Sequence, residues 1–228
     1  NEVGTFAVSD RVEDRGNTPG DGKIGGFGTV AGRAMAVAGD DITVKRGSSS
    51  VIGSRKLHRI FETAWADGTP CVYFGETGGA RIPDTLGSEG FVKVPPDIAN
   101  ARRRRRSPMI SVICGESFGG SSFQSAFSDI VIQTKGTCLA VTSPRVIEIA
   151  TGETIGFEEL GGTSVHEKIT GQIDPFFHLM FEVTIGFPET QRFYNDIIKG
   201  QIDSIQALFI AALVENSRNN LTHFQGAV

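Results

Sequence analysis

The sequence predicts a mixed α/β fold, because short apolar runs of strand length alternate with helical patterns and end in glycine-rich turns. Two such runs, residues 70–74 and 109–114, each lead into a turn with paired glycines. The second turn opens a helix whose apolar side is expected to contain Phe123, Ala126 and Phe127. Strands that alternate with helices are mostly joined by right-handed crossovers. We therefore expect an α/β domain built in this way.

Length, hydropathy and charge exclude several classes of protein. The 228 residues suffice for one large domain or a domain and a half, and the mean hydropathy of −0.06 is typical of a soluble protein. No apolar run reaches the length of a membrane span, and the amino terminus lacks a secretory signal pattern. The net charge of −4 gives no general attraction to nucleic acid. We expect a cytoplasmic protein without membrane or nucleic-acid partners.

The three cysteines, Cys71, Cys114 and Cys138, lie inside or at the end of apolar runs. Their spacing excludes a zinc ribbon and indicates buried, reduced thiols rather than a disulfide framework. His166 lies in a polar loop, where a lone histidine is more often a structural hydrogen-bonding residue than a base. We therefore expect no metal site.

In chain order, residues 1–20 predict a polar arm that leads into a single domain over residues 21–228. Residues 23–40 predict a β-hairpin, and residues 41–44 are expected to extend its sheet. The spacing next predicts a helix over residues 52–67. Its apolar stripe contains Ile52, Leu57, Ile60, Phe61, Ala64 and Trp65.

In the second half, residues 83–96 predict a loop that is rich in glycine, proline and acidic residues. Residues 129–133 and 138–141 predict paired short strands around a turn. Pro144 is expected at the start of a helix, and residues 187–216 contain an amphipathic helix that closes the sheet or lies at an interface.

The two glycine turns have the composition of an oxyanion hole. Their sequences are similar. The first is Gly-Glu-Thr-Gly-Gly from Gly75, and the second is Gly-Glu-Ser-Phe-Gly-Gly from Gly115. Strand-end turns present backbone N–H groups, and paired glycines let a ligand carbonyl approach the main chain. The candidate donors are the amides of Gly79, Ala80, Gly119 and Gly120. Glycine pairs also occur in turns without function, so the residues alone leave both interpretations open.

Several motifs together resemble the carboxyltransferase component of biotin-dependent acyl-CoA carboxylases, over about residues 21–174. The resemblance implies a crotonase-type spiral of ββα units, and it covers the amino-terminal, acyl-CoA-binding half of that enzyme. The motifs are Gly78-Gly-Ala-Arg-Ile82, Gly115 to Gly120 with Ser125-Ala-Phe-Ser-Asp129, Thr142-Ser-Pro-Arg-Val146, and Thr151-Gly-Glu with Phe157-Glu-Glu-Leu-Gly-Gly162 and His166.

By this resemblance, the chain binds an acyl-CoA thioester and stabilises its enolate for transfer of a carboxyl group to or from biotin, without a metal. Carboxybiotin would sit on a partner, and the missing second carboxyltransferase half and the biotin carrier domain imply a homo- or hetero-oligomer. The chain starts at Asn1, so a domain cut from a longer protein is an equal interpretation. A relative of this family that no longer uses biotin is an equal interpretation as well.

Two glutamates support the interpretation that the chain is a relative that does not use biotin. Glu76 and Glu116 flank the turns, and Glu116 stands where the carboxylases usually have proline. In a dry cleft, such a carboxyl group acts as a general acid or base, as a malonyl-type thioester decarboxylase requires. The alternatives are that the glutamates cap the turns or face solvent, or that the chain is a non-catalytic thioester-binding or scaffold half.

The resemblance also places Arg46, Ser48, Lys56 and Arg81 near coenzyme A, and arginine and lysine suit its phosphates. The run Arg102 to Arg106 has three open interpretations, which are a solvated surface, a landing site for the same phosphates, and a subunit contact. The acyl group, the direction of reaction and the choice between coenzyme A and a carrier protein stay open.

Overall fold

The structure is a computed structural model that describes residues 1–30, 32–93 and 107–173. It contains a six-stranded sheet in the order β1-β2-β3-β4-β5, and β6 also pairs with β4. β1 and β2 are antiparallel, whereas every other pair is parallel. This confirms the α/β fold. The strands are β1 Lys23–Val30, β2 Arg33–Asp40, β3 Cys71–Thr77, β4 Met109–Phe118, β5 Ile130–Gln133 and β6 Cys138–Ala140.

The helices lie between and after the strands. None of those in the described ranges combines the length and apolar character that a membrane crossing needs. Short 3₁₀ turns cover Val12–Asn17, Pro19–Gly22 and Lys45–Gly47, and a π-helical turn covers His166–Thr170. The α-helices are α1 Val51–Asp67, α2 Ile82–Thr85, α3 Gly87–Lys93, α4 Gly120–Ala126, α5 Pro144–Thr151, α6 Phe157–Gly161 and α7 Thr163–Val165.

The first hairpin is confirmed, but the predicted strand extension over residues 41–44 is wrong. The hairpin pairs from Lys23 opposite Asp40 up to its turn. The next residues form a turn, because Asp41 Oδ1 accepts hydrogen bonds from both the N–H and the hydroxyl of Thr43. A side chain that bonds its neighbouring backbone competes with the strand ladder.

The predicted pairing of residues 129–133 with residues 138–141 is also wrong. β4 is long enough for two partners, so β5 pairs in parallel with its first half and β6 pairs in parallel with its second half. The connection between β5 and β6 therefore does not reverse the chain. Thr134 holds its start, since its N–H and hydroxyl both donate to the carbonyl of Ile113 at 3.1 Å.

The main core lies between α1 and the sheet. The predicted stripe of α1 is largely confirmed, because Ile60, Phe61 and Ala64 are buried against residues such as Tyr73 and Met109. Burial of each large apolar side chain of this kind stabilises the fold by about 1.5–3 kcal/mol. Ser50 caps the helix by accepting from the N–H of Gly53. This places the loop before α1 at a defined position.

The predicted apolar side of α4 is wrong. Its buried residues are polar, while Phe123 is 46% exposed. The reason is that the hydroxyl groups find partners inside the protein. Ser121 Oγ lies 2.6 Å from Ser117 Oγ, and Ser125 donates to the carbonyl of Ser121.

The predicted loop over residues 83–96 is helical where the structure describes it, in α2 and α3. Pro83 lies in the first turn of α2, where proline favours a helix. The remainder of that loop, Arg102 to Arg106 and the tail helix lie outside the described residues.

At the amino terminus, Asn1 and Val3 donate hydrogen bonds to carbonyls of β1. The chain therefore begins alongside the sheet. The division into an arm and a domain stays a prediction.

Candidate functional site

The two predicted glycine turns lie side by side at the carboxyl end of the sheet. Thr77 and Ser117 form the last pair between β3 and β4, and each strand then runs into its turn. A Cβ atom on Gly119 would lie 3.6 Å from the Cα atom of Gly79 and 3.9 Å from the amide nitrogen of Ala80. The backbone amides of both turns therefore belong to one small surface.

Hydrogen bonds within the chain decide which of these amides a ligand can use. The N–H of Gly79 donates to a threonine hydroxyl at 3.1 Å, and that of Gly119 donates to the carbonyl of Val141 at 3.1 Å. The N–H groups of Ala80 and Gly120 have no acceptor within the described part of the chain. Both residues are exposed. These two amides are free to donate to a ligand.

The glycines have separate reasons to be there. Gly79 and Gly119 have φ values of 101° and 65°, which side chains with a Cβ atom rarely adopt. Gly120 has no such constraint, and a Cβ atom there would meet only Ser49 Oγ, at 3.8 Å. The first two glycines therefore shape the turns, whereas the third leaves open space beside the second turn.

The loop between β2 and α1 is bound to the first turn through its backbone. The N–H of Gly78 donates to the carbonyl of Arg46 at 2.9 Å, and the N–H of Ser49 donates to the carbonyl of Gly79 at 2.8 Å. Lys45 and Arg46 have positive φ angles of 49° and 57°. Such a conformation costs a residue with a Cβ atom on the order of 1 kcal/mol or more, and it persists where surrounding contacts hold it.

A buried ion pair supports the first turn. Arg81 Nη1 lies 2.6 Å from Asp21 Oδ1, and the two side chains are only 5% and 0% exposed. The other carboxylate oxygen of Asp21 accepts from Ser50 Oγ at 2.5 Å and from the N–H of Gly53 at 2.9 Å. This cluster joins the segment before β1, the start of α1 and the first turn.

A second buried network supports the other turn. Lys23 Nζ lies 2.5 Å from Asp40 Oδ1, and the hydroxyl of Tyr73 donates to Asp40 Oδ2 at 2.7 Å. The same hydroxyl lies 2.9 Å from Ser121 Oγ at the start of α4. Burial raises the pKa of Asp40, and Lys23 opposes this rise. The network links the hairpin, β3 and α4.

Glu76 faces a bulge in β4. The register between β3 and β4 shifts from Gly75 opposite Ile113 to Thr77 opposite Ser117, so residues 114–116 oppose Glu76 alone. Bulges are over-represented next to active sites, where they redirect side chains.

The carboxyl group of Glu76 lies directly over the glycine of this bulge. A Cβ atom on Gly115 would come within 2.6 Å of Glu76 Cδ. Burial raises the pKa of Glu76, and the nearby carboxylates of Asp40 and Glu116 raise it further. Its Oε2 atom is buried without a hydrogen-bond partner among the described residues. Glu116 differs, because its side chain is 39% exposed and pairs with Arg46 at 2.8 Å.

A family model for the carboxyl transferase domain matches residues 2–185. The chain belongs to this family. It is 37% identical to the methylmalonyl-CoA carboxyltransferase 12S subunit of Propionibacterium freudenreichii subsp. shermanii, over 70% of this chain and 30% of that protein. It is 32% identical to the methylmalonyl-CoA decarboxylase subunit alpha of Veillonella parvula, over 70% of this chain and 31% of that protein. The chain thus spans about 30% of the length of these curated relatives.

A solved structure of transcarboxylase 12S, a hexamer with methylmalonyl-coenzyme A bound, aligns with a TM-score of 0.67 and 36% identity. The alignment covers 76% of this chain and 34% of that one. The resemblance to the carboxyltransferases and the crotonase-type fold are therefore confirmed.

In this carboxyl transferase domain, most of the predicted coenzyme A contacts are engaged internally. Ser48 accepts a hydrogen bond from Arg81 Nε at 3.2 Å, and Lys56 Nζ donates to the carbonyl of Lys23 at 2.7 Å. Arg46 is the member of this set with an exposed charge, since its side chain is 69% exposed. Sequence reasoning did not anticipate this burial, and contact with coenzyme A stays a prediction for all four residues.

The supporting networks were missed from the sequence. The predicted hairpin already placed Lys23 opposite Asp40, which was the available signal for their ion pair. The partnership of Asp21 and Arg81 joins residues far apart in the chain and had no local signal. His166 bonds the carbonyl of Leu139 through Nε2 at 2.7 Å, which agrees with a structural role.

The cysteines of the domain carry no bridge, and Cys71 and Cys138 are buried. Burial raises the pKa of the Cys138 thiol to about 11, and burial likewise raises the pKa of Cys114. In the described ranges, no group of three or more histidine, cysteine, aspartate or glutamate side chains is arranged to hold a metal ion.

Proposed function

We propose that this carboxyl transferase domain binds an acyl-CoA thioester and stabilises its enolate while a carboxyl group moves to or from biotin. The observation that carries the proposal is that Ala80 and Gly120, two exposed residues on adjoining turns, have amides without an acceptor among the described residues. The similarity to the 12S subunit, whose solved structure contains methylmalonyl-coenzyme A, supports the choice of substrate class.

The chemistry follows from where charge develops. Enolising an acyl thioester places negative charge on the thioester oxygen, and two fixed N–H donors at that point stabilise it. The donors need no reorganisation, because the loop at Arg46 and the cluster around Asp21 hold the first turn while the network through Tyr73 holds the second. One lost donor of this type typically costs on the order of 3 kcal/mol of barrier.

The proposed partners complete this site. The chain covers about 30% of the curated relatives, so we propose that a second carboxyltransferase half and a biotin carrier domain act with it, in the same polypeptide or on another subunit. Carboxybiotin is the proposed carboxyl donor or acceptor, no metal takes part, and the assembly is an oligomer in the cytoplasm.

Gly120→Val tests the role of the amides. A Cβ atom fits the fold at this position, so the variant is expected to fold while its side chain fills the open space beside the amide. We expect acyl-CoA binding, measured by calorimetry on the full chain, to be weakened. The matched control is Gly28→Val in β1, where a Cβ atom meets nothing within 4 Å and valine suits a strand. Unchanged binding by a folded Gly120→Val protein would refute the assignment.

Glu76 supports a second candidate function, a biotin-independent decarboxylase of malonyl-type thioesters. Its half-buried carboxyl group has a raised pKa and a free oxygen, as a general acid requires. Incubating the chain alone with malonyl-CoA and following the product by mass spectrometry separates the candidates. Product that disappears in Glu76→Gln or Glu116→Gln with binding retained supports the decarboxylase. Binding without product supports a transferase that lacks its partner, or a non-catalytic thioester-binding half.

A further inference from the structure

Arg46 combines an anchored backbone with an exposed charge beside the proposed oxyanion site. Its carbonyl accepts from the N–H of Gly78 at 2.9 Å, and the next residue, Gly47, is held through its carbonyl by Lys23 Nζ at 2.6 Å and by Thr77 Oγ1 at 2.8 Å. The guanidinium group, by contrast, lies in solvent, with 69% of the side chain exposed. The fold thus holds a left-handed arginine in place and leaves its charge available.

The position of the side chain points to the acyl end of a bound thioester. A Cβ atom on Gly78 would lie 3.3 Å from Arg46 Nε, and Gly78 is two residues from the free amide of Ala80. On the other strand, the partner of Arg46 is Glu116, three residues before Gly119. The guanidinium therefore bridges the two strands that end in the turns. The phosphates of coenzyme A are separated from a thioester held at those turns by the whole pantetheine arm.

The present partner of Arg46 already shows which ligand chemistry fits. Glu116 Oε2 lies 2.8 Å from Arg46 Nη2, which is a charge-assisted hydrogen bond to a carboxylate. Both side chains are substantially exposed, at 69% and 39%, and such exposed ion pairs are worth little. A substrate carboxylate delivered by a thioester bound alongside can therefore exchange with Glu116 at small cost.

We propose that Arg46 recognises the free carboxylate of a carboxyacyl-CoA thioester, with Glu116 as its counterion in the unliganded protein. This inference rests on the proposed function, because the thioester must sit on the amides of Ala80 and Gly120. It defines the preferred substrate class as acyl groups that end in a carboxylate.

The test compares malonyl-CoA with acetyl-CoA, which lacks the carboxylate, by calorimetry on the full chain. The wild type is expected to bind malonyl-CoA about threefold to fivefold more tightly, since an exposed ion pair has about this effect. Arg46→Gly is expected to bind both thioesters equally. Glycine is the residue most compatible with the φ of 57° at this position, so this variant should fold at least as well as the wild type.

Two further variants complete the experiment. Arg46→Gln keeps a similar side-chain length without the charge, and it should also lose the preference. Arg145→Gly is the matched control, because Arg145 forms an equally exposed pair with Glu148, at 2.7 Å, on α5. It should keep the preference.

The outcomes separate the two proposals. A preference of about threefold or more that both Arg46 variants lose and Arg145→Gly retains supports this inference. Equal binding of the two thioesters by the wild type, or a preference that survives in Arg46→Gly and Arg46→Gln, overturns it while leaving the proposed function intact. Failure of the wild type to bind either thioester overturns the proposed function and this inference with it.

Discussion

Arg81→Met tests whether the buried ion pair holds the first turn. Arg81 Nη1 and Asp21 Oδ1 are 2.6 Å apart, and both side chains are almost fully buried. The substitution keeps a long apolar side chain but removes the positive charge. Asp21 would then lose its ion-pair partner and keep only the more distant charge of Lys56. The buried Asp84, whose Oδ2 lies 3.6 Å from Arg81 Nε, would lose the same partner.

The expected loss of stability follows from this geometry. Removing one partner of a buried pair costs about 3–5 kcal/mol, because the remaining charge is uncompensated. Asp21 retains its hydrogen bonds from Ser50 and Gly53, which favours the lower end of that range. We therefore expect a decrease of about 3 kcal/mol in the free energy of unfolding, out of the roughly 5–15 kcal/mol that is usual for a domain.

Urea denaturation of the full chain near neutral pH measures this change. Arg145→Met is the matched control, since it breaks an exposed pair and should change stability by less than about 1 kcal/mol. The double variant Asp21→Asn with Arg81→Met should recover part of the loss, because it removes both buried charges.

Two results would contradict this reasoning. A loss below about 1 kcal/mol in Arg81→Met would mean that the pair does not hold the turn. Normal stability together with lost acyl-CoA binding would instead make Arg81 a direct coenzyme A contact, as the family resemblance implies. The structure predicts that stability and binding fall together.

The remaining predictions concern buried titratable groups. The pKa of Glu76 is raised in the folded state above its usual 4.5, so its ionisation opposes folding as the pH rises through and beyond that value. Glu76→Gln should therefore be more stable than the wild type at about pH 8, and this difference should disappear at about pH 4 in urea titrations. A constant difference across this range would argue against a raised pKa. The thiols of the partly buried Cys114 and the buried Cys138 have raised pKa values and should react with iodoacetamide at about pH 8 only after denaturation, as measured by mass spectrometry. Rapid labelling of the native protein would exclude this prediction.

Several features of this protein follow from its sequence alone. The hairpin, α1 and the glycine turns are each encoded by neighbouring residues, since alternation, helical spacing and glycine act over short distances. Gly79 and Gly119 illustrate this, because φ angles of 101° and 65° favour glycine wherever the turn lies in the fold. Several motifs in order likewise indicate the family.

Only the tertiary structure decided which groups of the site are available. Gly79 and Gly120 look equivalent in the sequence, yet the first amide is used within its own turn and the second is free. In the same way, Arg46 and Arg81 are both cations near the turns. Arg81 forms a buried ion pair with Asp21, whereas the side chain of Arg46 faces solvent. Availability depends on partners that are distant in sequence, and local patterns contain no information about them. The bulge that brings Glu76 over Gly115 was decided by the pairing of β3 with β4 for the same reason.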